Sequence, residues 1–201
     1  LRQSRKLAVG GPLPSRTRLY SSALVTHAAI AFLSLAVMKE MGMRLFWPYS
    51  LTIWHAGVGL LALGAGLSLL LKRFQIDNPL GKERAKAIAP RTPAEHALFY
   101  VICLSAGFAE ELVYRGVLFT LLTALIGGWW IPALLASIVF GIVHLFQGWK
   151  SASIAGLMGL REHLVVGITG TLFIPMVVHF LHDAITGSVI AYRVRAAQQA
   201  A

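Results

Sequence analysis

The sequence predicts an all-α fold, a polytopic membrane bundle of about six transmembrane helices. Of its 201 residues, 57% are hydrophobic and only 13% are charged, too few polar groups to coat a water-soluble domain of that size. The apolar residues fall in runs of the length a bilayer crossing requires, roughly 20 residues each. The basic residues behind the net charge of +10 gather in the flanks and connections of those runs, which marks membrane topology rather than a nucleic-acid footprint. The expected surroundings are the lipid bilayer, with anionic headgroups beside the basic flanks, and no nucleic-acid partner.

Residues 1–18, with Arg2, Arg5, Lys6, Arg16 and Arg18 among Pro12, Pro14 and a Gly pair, read as a basic cytoplasmic tail. Leu1 is not an initiating residue, so a natural start lost or trimmed is expected. Residues 19–195 read as a single transmembrane bundle, with the motif-bearing region at 95–187. The first span is Tyr20 to Met38, followed by Lys39-Glu40-Met41 and no small-residue cleavage site, which argues against a signal peptide. Trp47, Pro48 and Tyr49 suit an interface, and Leu51 to Leu71 is the second span.

Residues 72–96 form the substantial loop, holding Lys72, Arg73, Lys82, Arg84, Lys86 and Arg91. Ala97 to Ile126 is long for one crossing, about 45 Å at helical rise, so it must tilt, protrude or bend, with Gly107 and Gly116 as soft points. Gly127-Gly128-Trp129-Trp130 is a turn with an aromatic belt. Ile131 to Phe146, Ala152 to Gly167 and Thr171 to Tyr192 complete the six. This count puts both termini, the 72–96 loop and Lys150 on one side, which the positive-inside rule makes cytoplasmic. Cys103, the one cysteine, sits in an apolar run and reads as a packing residue.

Several ionisable residues fall inside these runs. Each costs about 2.5–3.5 kcal/mol at mid-bilayer on insertion scales, so such groups face the bundle interior and usually serve a function. They form short clusters. In Glu110-Glu111-Leu112-Val113-Tyr114-Arg115, Glu111 and Arg115 stand four apart and can pair on one helix face. Glu110 lies about 100° round the helix and lacks that partner, leaving it open to act as a general base. A purely structural charge cluster fits the same residues. In Phe140-Gly141-Ile142-Val143-His144, the histidine reads equally as a packing residue or a ligand. In His179-Phe180-Leu181-His182-Asp183, His179 and Asp183 share a face, and His182 could replace His179. Imidazoles and carboxylates from three spans can meet in a bundle core and there hold a divalent ion or polarise a water directly. No His-Glu-x-x-His is present, which excludes an ordinary zincin. No Gly-x-Ser-x-Gly is present either, and Ser105 has no base near it in sequence.

Glu110-Glu111-x-x-x-Arg115, Phe140-x-x-x-His144 and His179-x-x-x-Asp183, in that order over residues 95–187, resemble the three motifs of the CAAX protease and bacteriocin-processing family, also called Abi. His144-Leu145-Phe146-Gln147-Gly148-Trp149 and Thr169-Gly170-Thr171-Leu172 add to the likeness. The resemblance implies an intramembrane endopeptidase in a bacterial inner membrane, acting on a peptide or protein substrate at the membrane, with a divalent metal such as zinc or a glutamate-based mechanism. It implies Glu110 as the base that activates water and His144 as a second catalytic or metal-binding group. His179 and Asp183 would bind the metal or stabilise the oxyanion, with Glu111, Arg115 and Phe140 supporting the site. On that basis the metal ligands would be His144 and His179. Asp183 stands where many members have asparagine, and Arg161-Glu162-His163 departs from the family's more apolar stretch. The rival expectations are a non-catalytic immunity or scaffold protein that keeps the fold, and a small transporter. No inverted repeat of spans supports the latter.

Overall fold

In the computed structural model, residues 15–43, 51–74 and 88–199 are described. Every regular element among them is helical. Six helical rods follow one another: α1 (Arg16–Glu40), α2 (Ile53–Phe74), α3 (Pro93–Ile126), α4 (Trp130–Val143), α5 (Trp149–Thr169) and α6 (Phe173–Gln199). The expected all-α bundle of about six helices is therefore present. α1, α3 and α6 are each long and apolar enough to cross a membrane, while Ile53–Ser68 and α4 are apolar but shorter. The chain is a multi-pass membrane protein. Arg2, Arg5, Lys6, the interfacial Trp47-Pro48-Tyr49 and the basic residues 82–86 of the long loop lie outside the described residues.

Local sequence explains where the rods begin and end. α3 starts four residues before the apolar run because Thr92 and Glu95 form a reciprocal capping box, with Pro93 in the first turn. Glu95 also accepts from the Arg16 Nε at 3.0 Å, tying the start of α1 to the start of α3. Tyr20 reinforces this junction, its hydroxyl donating to the Ile88 carbonyl at 2.6 Å. α3 closes at Gly127 and Gly128, whose φ angles of 77° and 67° lie in the left-handed region where a side chain is strained. α4 ends at Val143, three residues short of the expected span; His144 is its C-cap, and a single 3₁₀ turn covers Leu145–Gln147. α6 outlasts its expected end at Tyr192 and runs on to Gln199.

The long third span is accommodated by a change of winding. Leu112–Leu118 is a π-helical segment between the α-helical stretches Pro93–Glu111 and Phe119–Ile126, and such wide turns recur at functional sites. Gly116 lies within it, as a soft point should. Gly107 has a different task. A Cβ there would stand 2.9 Å from the Met176 carbonyl and 3.0 Å from the Phe180 nitrogen, both backbone atoms of α6. The missing side chain lets α3 and α6 pack backbone to backbone, the small-residue mode of membrane helices. Gly141 serves α4 and α5 likewise, with Ala152 O at 2.8 Å from its notional Cβ.

α3 packs against α1 on one side and α6 on another; α2 lies against α5 and α6, and α4 against α5. The helices that carry the three motifs, α3, α4 and α6, thus surround one region. Large apolar residues such as Phe32, Leu61, Leu125 and Ile131 face outward, as expected where the surroundings are lipid tails. Trp130 is exposed beside the α3–α4 turn, whereas Trp129 packs edge-on to Phe119 at 6.1 Å and against Gly167. The aromatic belt is therefore one outward ring and one packing ring.

Gly107→Val is expected to force α3 and α6 apart and to lower the unfolding midpoint in detergent by an amount corresponding to about 1–3 kcal/mol. Gly116→Ala meets only side-chain ends, the Met38 sulfur at 3.4 Å and the Leu172 Cδ1 at 3.6 Å, and should leave the midpoint close to that of the wild type.

Candidate active site

The site is built outward from Glu111, which is fully buried in α3. Its Oε1 is 3.2 Å from Arg115 Nη1, one turn along, as the four-residue spacing predicts. The same oxygen accepts from His179 Nδ1 of α6 at 2.9 Å. Arg115 is equally buried. Its Nη2 donates to the Gly159 carbonyl of α5 at 3.1 Å, and its guanidinium lies 4.8 Å from the centre of the Phe140 ring of α4. One ion pair therefore ties α3 to α4, α5 and α6. The sequence expectation of a structural Glu111–Arg115 pair is met, and Phe140 is the ring it rests on.

Glu110 points elsewhere, as its position round the helix requires. Its Oε2 stands 3.7 Å from His179 Nε2. Its Oε1 stands 3.9 Å from His27 Nε2 of α1. Both separations exceed a direct hydrogen bond. Glu110 is partly exposed where Glu111 is sealed, so two adjacent carboxylates have different surroundings. Asp183 Oδ2 lies 3.5 Å from His179 Nε2, and the more open Asp183 side chain marks the accessible side of the cluster. His179 is thus held at Nδ1 by Glu111 and flanked at Nε2 by Glu110 and Asp183.

This settles the choice between the two histidines of α6. His182 is buried and turned toward α2, its Cδ2 3.2 Å from where a Gly66 Cβ would be, with Nδ1 3.4 Å from Asp183 Oδ1. It does not take the place of His179.

His144 sits one ring further out. Its Nδ1 donates to the Phe140 carbonyl at 2.7 Å, the tautomer that presents Nε2 as an acceptor when the ring carries a single hydrogen. Its ring packs on Phe140 at 4.6 Å, and Phe140 in turn meets the His179 ring edge-on at 6.2 Å. Phe140 therefore lies against both imidazoles. Of the three residues expected to converge on one water, Glu110 and His179 lie within 3.7 Å of each other, whereas His144 contacts Phe140 and is brought against neither of them. Among the described residues no three His, Cys, Asp or Glu side chains are grouped so that they could hold a metal ion. The donor set expected of His144 and His179 is not assembled in this arrangement.

Two neighbours carry no motif. His27 reaches the site from α1, and its Nδ1 lies 2.8 Å from Ser105 Oγ of α3. Ser105 therefore does have a histidine beside it, which no reading of local spacing could supply. The only advance signal is an ionisable residue in the apolar first span, of the kind already noted in the others. The departure at Arg161-Glu162-His163 resolves as internal pairing. Arg161 Nη2 contacts Glu162 Oε1, and Nη1 donates to the Ala62 carbonyl of α2 at 3.0 Å. A Cβ at Gly66 would collide with this guanidinium, so Gly66 is the notch that admits it. His163 is buried against Phe119, ring centres 5.0 Å apart.

Residues 92–185 match the family described as type II CAAX prenyl endopeptidase, Rce1-like. The matched segment spans Glu110, His144, His179 and Asp183, the same stretch that carries the motif resemblance. Over 145 residues the chain is 29% identical to a Bacillus subtilis (strain 168) protein named "Uncharacterized protein YpbD", covering 71% of this chain and 67% of that one. No solved structure matches.

Removing the buried cation should damage the fold more than removing both charges. Arg115→Met is expected to cost about 3–5 kcal/mol because Glu111 is left uncompensated. Arg115→Met with Glu111→Gln should recover part of that loss, measured as the unfolding midpoint in one detergent.

Proposed function

Starting from the CAAX-type endopeptidase family to which residues 92–185 belong, we propose that Glu110 is the general base of an intramembrane endopeptidase. At family level the chain is a membrane-embedded CAAX-type protease; the residue roles are our reading. The observation that carries it is the contrast between two adjacent carboxylates. Glu111 is neutralised by Arg115 and His179, whereas neither oxygen of Glu110 has a hydrogen-bond partner within reach among the described residues. A partly exposed carboxylate so placed can accept a proton from water, which is what a general base requires.

In this reading water attacks the scissile carbonyl carbon as its proton passes to Glu110, forming the new C–O bond. The carbonyl π pair moves to oxygen. Collapse of the tetrahedral intermediate breaks the C–N bond, and Glu110 returns the proton to the leaving amine. His179 has its Nδ1 hydrogen engaged by Glu111, so a hydrogen on Nε2 would be aimed between Glu110 and Asp183. In this reading the ring is an imidazolium, and its Nε2 hydrogen is the donor we assign to developing negative charge on the oxyanion. Asp183 orients it. His144, its Nε2 free to accept, is the group we assign to the substrate side of Phe140. A divalent metal would supply Lewis acidity, but the described side chains do not form a donor set for one, and no step is assigned to it.

The substrate we propose is a peptide or protein presented at the bilayer, its scissile bond near the open Asp183 side. The family's description names a CAAX prenyl endopeptidase, and a prenyl chain on the substrate would partition into the same lipid. The cellular setting we assign is a bacterial inner membrane with both termini cytoplasmic, on the strength of the basic flanks.

With the purified full chain in micelles, wild type should cleave an internally quenched farnesylated CAAX peptide, and Glu110→Gln should lower kcat by at least about 10²-fold with an unchanged elution profile. Equal rates for the two proteins would remove Glu110 from the mechanism. No cleavage of farnesylated or unmodified peptides by wild type would instead favour a non-catalytic relative. Incubation with a strong chelator is expected to leave the rate unchanged, because the described residues do not gather a ligand set; chelator-sensitive cleavage restored by zinc would show that they regroup around an ion.

A further inference from the structure

We propose that His27, on the first helix and outside the region matched by the family, holds the attacking water together with Glu110. This inference rests on the assignment of Glu110 as base. It starts from Ser105, whose hydroxyl donates to the Ile102 carbonyl one turn back at 2.9 Å. A serine hydroxyl has one hydrogen. In our assignment that hydrogen stays on the Ile102 carbonyl, so Ser105 Oγ accepts from His27 Nδ1, 2.8 Å away. The neutral ring then carries its hydrogen on Nδ1 and presents a bare lone pair at Nε2.

That lone pair faces Glu110 Oε1, itself an acceptor, across 3.9 Å. Two acceptors cannot bond one another, and the gap is too long for a direct hydrogen bond in any case. It is the right span for one water. A water making hydrogen bonds of about 2.8 Å to each would subtend close to a right angle there, near its own H–O–H geometry. One hydrogen would go to Nε2 and one to Oε1, leaving the oxygen lone pairs directed away from both. Proton transfer runs to Glu110, as in the proposed reaction; His27 keeps the second hydrogen as an acceptor and restricts the water to one orientation. The groups around His27 are Ser105 and Glu110 of α3, with His179 and Asp183 of α6 across the site. Glu110 thus has one oxygen toward His179 and the other toward His27, which divides the oxyanion side from the water side. Ordering a reactant in this way is the contribution that positioning makes to rate.

Ser105, His27 and Glu110 could also be read as a nucleophile, base and acid. The spent hydroxyl hydrogen and the 3.9 Å separation argue against it, and the experiment separates the two.

The test measures kcat and KM for the farnesylated peptide, with unfolding midpoints, for H27N, H27Q, S105A and E110Q. Asparagine reproduces the Nδ1 donor to Ser105 and lacks the Nε2 position; glutamine reaches the Nε2 position. We expect H27N to lose about 10- to 100-fold in kcat at unchanged KM and midpoint, and H27Q to lose less. S105A should lose several-fold, since the ring is then free to take its other tautomer. If H27N equals or exceeds H27Q, or both match wild type, His27 only braces α1 against α3 and the proposal is overturned. Complete loss in S105A together with covalent labelling of Ser105 by a fluorophosphonate would overturn it in favour of a serine nucleophile. Should H27N fail to fold, the H27Q and S105A rates decide alone: wild-type kcat in both overturns the proposal. Wild-type activity in E110Q, or no cleavage by the native chain, would bring down the assignment of the base itself, whatever the His27 variants do.

Discussion

The buried carboxylate of Glu111 fixes the architecture of this region. In a hydrocarbon setting an unpaired charge is costly, and the cost is removed only by partners brought within hydrogen-bond reach. Glu111 takes one from its own helix, Arg115, and one from α6, His179. Arg115 then gives one donor, Nη2, to α5 and lays its flat face against the Phe140 ring of α4. α3 therefore cannot rotate or slide without exposing a charge to lipid or to an apolar core. Because Glu110 follows on the same helix, its direction is set by the locking of its neighbour. A structural pair and an open carboxylate one residue apart are two outcomes of a single constraint.

That lock works only if the backbones come close. Gly107 removes the side chain that would keep α3 from α6, and Gly141 does the same between α4 and α5. Close packing of this kind substitutes for the hydrophobic drive that lipid does not provide between helices. The π-helical segment from Leu112 to Leu118 begins one residue after Glu111 and contains Arg115. The change of winding and the ion pair thus occupy one stretch, and below it the helix resumes as Phe119–Ile126. Arg161 repeats the device at α2 and α5, where a glycine notch and a backbone carbonyl receive a guanidinium already paired with Glu162.

The family match and the geometry address different levels. The match covers residues 92–185 and shows similarity to the Rce1-like CAAX prenyl endopeptidases. Within it the structure distinguishes carboxylates that sequence leaves alike: Glu111 is sealed and shared, Glu110 stands between two imidazoles, and Asp183 opens outward. α1 lies beyond the matched residues yet carries an imidazole into the same space. A site assembled in a bundle draws on whichever helix completes its wall, and chain order does not say which one that is.

The helical class, the six rods and the four-residue pairings of Glu111 with Arg115 and His179 with Asp183 were fixed by the sequence alone, because hydropathy and helical periodicity are local properties of the chain. The ends of the rods were legible to within a few residues; the start of α3 was misplaced only because the Thr92–Glu95 capping box precedes the apolar run. Tertiary structure alone decided which helix faces meet. It chose His179 over His182, placed Phe140 against both His144 and His179, folded Arg161 and Glu162 into an internal pair, and brought His27 beside Ser105 and Glu110. The physical reason is that a helix sequence specifies which residues share a face, while the partner of that face is selected by backbone approach and charge compensation between segments far apart in the chain.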